Sequence, residues 1–67
     1  MLLAEYMETR GLTQQQFADL VGVSRATVSY WMHGTKQPRP IHVRKIRAAT
    51  RGKVTPEDLQ AAAELAS

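Results

Sequence analysis

The sequence predicts an all-α protein, a compact bundle of about five short helices that contains a helix-turn-helix. Three observations predict it. Apolar residues recur at three- and four-residue spacing, not in the alternation that a half-buried strand requires. Gly11, Gly22, Gly34 and Gly52 fall where those patterns stop, as left-handed residues that terminate helices do. Thr13, Ser24 and Thr55 stand just ahead of the patterns, where a side-chain oxygen can accept from a first-turn N–H. The chain, 1–67, reads as one domain with no repeat, low-complexity tract or interdomain linker.

The first segment runs from Leu2 to Arg10, with Leu3, Tyr6, Met7 and Arg10 at helical spacing. The second opens at Thr13, and Gln16 three positions on completes a capping-box pattern. It carries Phe17, Ala18 and Val21 inward and ends at Gly22. The third opens at Ser24 and runs to His33, with Val28, Trp31 and Met32 on its apolar face and Gly34 as its stop. Thr35 to Pro40 reads as a loop, because prolines remove backbone donors and restrict the residues before them. Pro40 then starts a fourth helix to Thr50, which buries Val43, Ile46 and Ala49. In the fifth segment Thr55 is the cap and Pro56 the first residue, and Glu57 and Asp58 sit where the helix dipole favours negative charge. Leu59, Ala62, Ala63 and Ala66 form its apolar side.

A chain of 67 residues buries only about 60% of the surface its unfolded form exposes, so little stability is expected to spare. With no cysteine, neither disulfides nor cysteine-bound zinc can reinforce it. No signal peptide or membrane span is visible, which leads to the expectation of a cytoplasmic protein with no membrane partner. The net charge is +3, but its distribution carries more information. From Arg25 to Lys53 the chain holds most of its basic residues and no acid; Glu5, Glu8, Asp19, Glu57, Asp58 and Glu64 all lie outside. A one-sign block of this kind is suited to a polyanion.

Residues 13–34 identify the polyanion. Two short helices joined by the tight Gly22-Val23-Ser24 connection form a helix-turn-helix, with Phe17, Ala18, Val21, Val23, Val28 and Trp31 available to lock them together. Ala18 is small enough to let the two backbones approach. Once core positions are subtracted, the second helix presents Arg25, Ala26, Thr27, Ser29, Tyr30 and His33. The start of such a helix enters the major groove of double-stranded DNA. Arg25 is suited to guanine O6 and N7, Thr27 and Ser29 are adaptable donors and acceptors, and Ala26 or the Thr27 methyl can meet a thymine methyl. Tyr30 can reach a base or a phosphate.

The runs Thr13-Gln14-Gln15-Gln16-Phe17-Ala18, Gly22-Val23-Ser24 and Val28 to Gly34 resemble the lambda-repressor-like, Cro/CI-type regulators of phages and bacteria. The stretch Ile46 to Leu59, which holds Ala-Thr-Arg-Gly-Lys-Val-Thr and then Asp58-Leu59, is similar to the phage Cro and YdaS-like branch. The resemblance covers residues 12–59. It implies a five-helix domain that binds a pseudo-palindromic operator as a homodimer, most simply as a phage or prophage repressor. It also implies base contacts from Arg25, Ala26, Thr27, Ser29 and Tyr30. Phosphate contacts would come from Gln14, Gln15, His33, Lys36, Arg39 and Arg44. The sequence departs from the family at His33, where an asparagine is usual, and at Ala26, where a longer polar reader is common.

Other classes find less support. His33 and His42 lack metal-ligand spacing, no serine sits in a nucleophile elbow and the glycines form no phosphate-cradling loop. No catalysis, cofactor, metal or small-molecule ligand is therefore expected. Within DNA binding the alternatives are an activator or an antitoxin-like regulator; outside it, a protein–protein adaptor on the same scaffold. For a dimer surface the sequence offers the fifth segment and residues 52–55, through Leu59, Ala63 and Leu65; the alternative is that this helix caps the monomer core.

Overall fold

The helices that start at Gln14 and Arg25 open on side-chain caps, those that end at Arg10 and Val21 close on left-handed glycines, and those that start at Leu3 and Pro40 have no side-chain cap. The computed structural model describes residues 1–66. It has α1 (Leu3–Arg10), α2 (Gln14–Val21), α3 (Arg25–Met32), α4 (Pro40–Ala49) and α5 (Pro56–Ala66), with no strand among the described residues. The order and type of the elements match the sequence reading, and His33 is the cap of α3 rather than its last turn. Ser67 and the side chain of Ala66, a predicted apolar position, lie outside what is described.

Thr13 Oγ1 accepts from the Gln16 N–H at 3.1 Å while the Thr13 N–H donates to Gln16 Oε1 at 2.8 Å, the predicted capping box. Ser24 Oγ accepts from the Thr27 N–H at 3.2 Å and fixes the first turn of α3. Phe17, Ala18 and Val21 of α2 meet Val28 and Trp31 of α3 in the core, all of them buried. Leu3, Tyr6 and Met7 close it from α1, Ile46 from α4, and Val54 and Leu59 from the last third of the chain. Val43 and Ala49 pack against this core only partly buried. Leu59 is buried, so it is not available to a dimer surface; of the three residues predicted for that role, only Leu65 is well exposed. Among the described residues, no helix is long and apolar enough to cross a membrane.

Three ties, one local and two that reach distant residues, hold the last third of the chain. Buried Thr50 donates its hydroxyl to the Ile46 carbonyl at 2.8 Å and accepts from the Val54 N–H at 3.2 Å. It thereby joins the end of α4 to the strap leading into α5. Gly34, left-handed at φ 71°, lies directly against the backbone of α5 at Ala62 and Ala63. Asp58 forms a second reciprocal cap: its Oδ2 accepts from the Thr55 N–H at 3.0 Å, and its own N–H donates to Thr55 Oγ1 at 3.2 Å. The same oxygen takes the Met1 ammonium at 2.7 Å.

The Met1 ammonium, and then the Thr55 N–H, hold the Asp58 carboxyl below its ordinary range. A carboxyl depressed in the folded state contributes stability above its unfolded pKa and loses that contribution as pH falls through the folded value. Asp58→Asn is therefore expected to cost about 1–2 kcal/mol near pH 7, as a cap and an ion pair are weakened together. The gap to the unaltered protein should shrink at about pH 2.5. Urea melts at the two pH values check this; a gap that is constant or widens in acid overturns it.

Candidate nucleic-acid interface

The exposed side of α3 is set by the residues it buries. With Val28 and Trp31 turned into the core, the opposite face carries Arg25, Ala26 and Tyr30 into solvent and leaves Ser29 half-buried. Gln14 at the start of α2 comes up beside them. Gln14, Arg25, Ala26, Ser29 and Tyr30 together line a hollow of about 220 Å³. Four of the five predicted base-facing residues and one predicted phosphate contact thus converge at the meeting of two helix starts.

Thr27, the fifth, faces the other way. It lines a second hollow of about 170 Å³ with Tyr30, Trp31, the loop from Lys36 to Arg39, and His42. Its hydroxyl lies 2.8 Å from Ser24 Oγ, which engages it within the cap and leaves the methyl as its freer part. Tyr30 belongs to both hollows. Lys36 Nζ lies over its ring at 4.6 Å from the centroid, a cation–π contact.

The loop carrying Lys36 and Arg39 is anchored at its start and at its middle. The Thr35 N–H donates to the Tyr30 carbonyl at 2.9 Å, and Gln37 Nε2 donates to the Leu59 carbonyl at 3.2 Å. Its two cations are therefore held beside the exposed face of α3. Among the described residues, the cations from Arg25 to Lys53 form no salt bridge, so their field is directed to solvent. The remaining predicted phosphate residues are less concentrated. Gln15 spends its Nε2 on Asp19 Oδ1 at 2.9 Å, within α2. Arg44 is exposed on α4 and lines neither hollow. His33 is exposed at the end of α3, with Nδ1 2.8 Å from the Ser29 carbonyl.

His42 was not singled out for this face, yet it lines the second hollow and packs on Trp31 with ring centroids 5.6 Å apart. The signal that could have found it is Pro40: a proline at the first position of α4 puts His42 in the first turn, next to the loop. Lys45 is turned the other way, toward the end of α2, in an open groove with Leu20 and Gly22. No group of histidine and acidic side chains among the described residues could hold a metal ion.

A short capped helix locked against a second helix, whose open face is polar and whose flank is basic, defines a DNA-binding domain of the transcription-regulator class. The comparison with family models agrees: a helix-turn-helix model matches residues 3–59. The chain belongs to the Cro/C1-type helix-turn-helix family. No curated protein and no solved structure matches it.

Proposed function

We propose that this protein is a sequence-specific repressor of the phage or prophage Cro kind, acting from the cytoplasm by occluding a promoter as a dimer on a pseudo-palindromic operator. The observation that carries this reading is the hollow where Gln14, Arg25, Ala26, Ser29 and Tyr30 converge. Arg25, Ala26, Ser29 and Tyr30, with the Thr27 methyl, face base edges in the major groove, while Gln14, Lys36, Arg39 and Arg44 meet phosphates. Gln15, tied to Asp19, joins them only by releasing that bond.

Size supports the dimer. The domain extends 27 × 21 × 20 Å, whereas successive major grooves on one face of a duplex are roughly 34 Å apart. A single copy presents one α3 to one groove, and reading a full operator takes two.

Selection of bound sequences from a random duplex library tests the reading. The expected result is an inverted repeat with half-sites about one helical turn apart. Affinity should fall steeply with salt: Lys36, Arg39 and Arg44 give a slope of about −2.7 per protomer in log K against log salt, at roughly −0.9 per neutralised phosphate. Absence of binding to any duplex at low salt overturns the function. A monomer that is selective on one half-site overturns the dimer.

A further inference from the structure

His33 carries an inference that rests on the DNA-binding reading and adds its regulation. Arg25, Ser29 and His33 stand four residues apart, so they form one column along α3. Arg25 is at the end that enters the groove. His33 is about 12 Å further along at 1.5 Å per residue, where a helix leaving the groove passes the sugar–phosphate backbone. Its ring is exposed and tethered: Nδ1 lies 2.8 Å from the Ser29 carbonyl oxygen. A carbonyl oxygen only accepts, so Nδ1 must carry the hydrogen. Ser29 Oγ, at 3.4 Å from the same nitrogen, is the longer approach.

That tether decides what the outer nitrogen can do. In the neutral ring with hydrogen on Nδ1, Nε2 holds only a lone pair and repels a phosphate oxygen. In the imidazolium both nitrogens donate, and Nε2–H can make a charge-assisted bond to phosphate without disturbing the tether. An amide side chain in this place would donate at any pH; an imidazole fixed in this way donates outward only when charged.

We propose that His33 is a phosphate ligand that works only as the imidazolium, so that DNA binding takes up one proton per protomer at this residue. The proton comes from bulk water and is returned on dissociation. Affinity for DNA is then coupled to pH. The other charged side chain on this column is Arg25 and Lys36 follows in the loop, while the helices packed against α3 carry Glu5, Glu8 and Arg10 on α1, Asp19 on α2, and Glu57, Asp58 and Glu64 on α5.

The test is the dissociation constant for the selected operator from pH 6 to pH 8 at fixed ionic strength. Proton uptake is read independently by calorimetry in buffers of different ionisation enthalpy. The unaltered protein should bind roughly tenfold more weakly per protomer at the upper pH, the size of one charge-assisted bond. His33→Asn should still bind, with the pH slope and the buffer dependence both lost. Glu64→Gln should keep both. The proposal is overturned if the unaltered protein shows no slope, if His33→Asn retains it, or if Glu64→Gln abolishes it. Failure of the DNA-binding reading itself looks different, because then neither the protein nor His33→Asn binds any duplex at any pH.

Discussion

Gly34→Ala should lose a large part of the domain's stability. A Cβ at this position would lie 2.6 Å from the Ala62 carbonyl oxygen and 2.5 Å from the Ala63 nitrogen. Both are backbone atoms of α5, which cannot swing aside as a side-chain tip can. Relief requires shifting the whole helix and with it Leu59, which is 2% exposed in the core. The φ of 71° adds roughly 1 kcal/mol of its own for a residue with a Cβ. Overpacking adds about 1–3 kcal/mol or more. A total of about 3 kcal/mol or above is a large part of the ~3–10 kcal/mol that a domain this small commands. At roughly 4–8 °C per kcal/mol, the thermal midpoint should fall by at least about 12 °C. Gly11→Ala is the control: its φ is also positive, at 66°, but nothing lies within 4 Å of the added carbon. It should lose only about 1 kcal/mol. Equal losses in the two variants, by circular-dichroism melts, would refute the close-approach account.

The sequence marked Gly34 as a helix stop, which it is, but gave no sign of its contact with α5. The difference is one of range. Capping at Thr13 and Ser24, the stops at Gly11 and Gly22, and the inward set Phe17, Val28, Trp31 and Ile46 are all written within a few residues of where they act. Periodicity and cap chemistry therefore reach them. The ties between Gly34 and Ala63, Met1 and Asp58, and Trp31 and His42 join residues far apart in sequence, and no local pattern encodes which distant backbone arrives. Thr50 escaped for a related reason: a threonine at a helix end looks solvated until the core is seen to close over it. The interface divides in the same way. Subtracting core positions from α3 found Arg25, Ala26, Ser29 and Tyr30, which do gather with Gln14. It did not foresee that Thr27 belongs to the loop side, because where the loop folds back is a tertiary fact. Nor could it tell that Leu59 serves the core and not a partner, since an apolar helix position reads the same in both roles.

Arg25→Ala should raise stability slightly while it weakens operator binding, and the opposite signs make it the most informative change at the interface. Arg25 is the first residue of α3 and is exposed. A cation in the first turn opposes the helix dipole by roughly 0.3–1 kcal/mol, and alanine is in addition the better helix former. For folding alone the arginine is a poor choice, so the thermal midpoint of the variant should rise by roughly 1–8 °C. For the proposed function, however, this place at the mouth of the groove suits a bidentate contact to guanine, worth about 1–3 kcal/mol. Affinity for the selected operator should drop by roughly 5- to 150-fold per protomer, and a repeated selection should show relaxed preference at one position in each half-site. Lys36→Ala should behave differently: weaker binding to all duplexes alike, and a salt slope reduced by about 0.9 per protomer. If Arg25→Ala instead weakens every sequence equally and lowers the salt slope, Arg25 is a phosphate contact, and base reading falls to Ser29, Tyr30 and the methyl groups of Ala26 and Thr27.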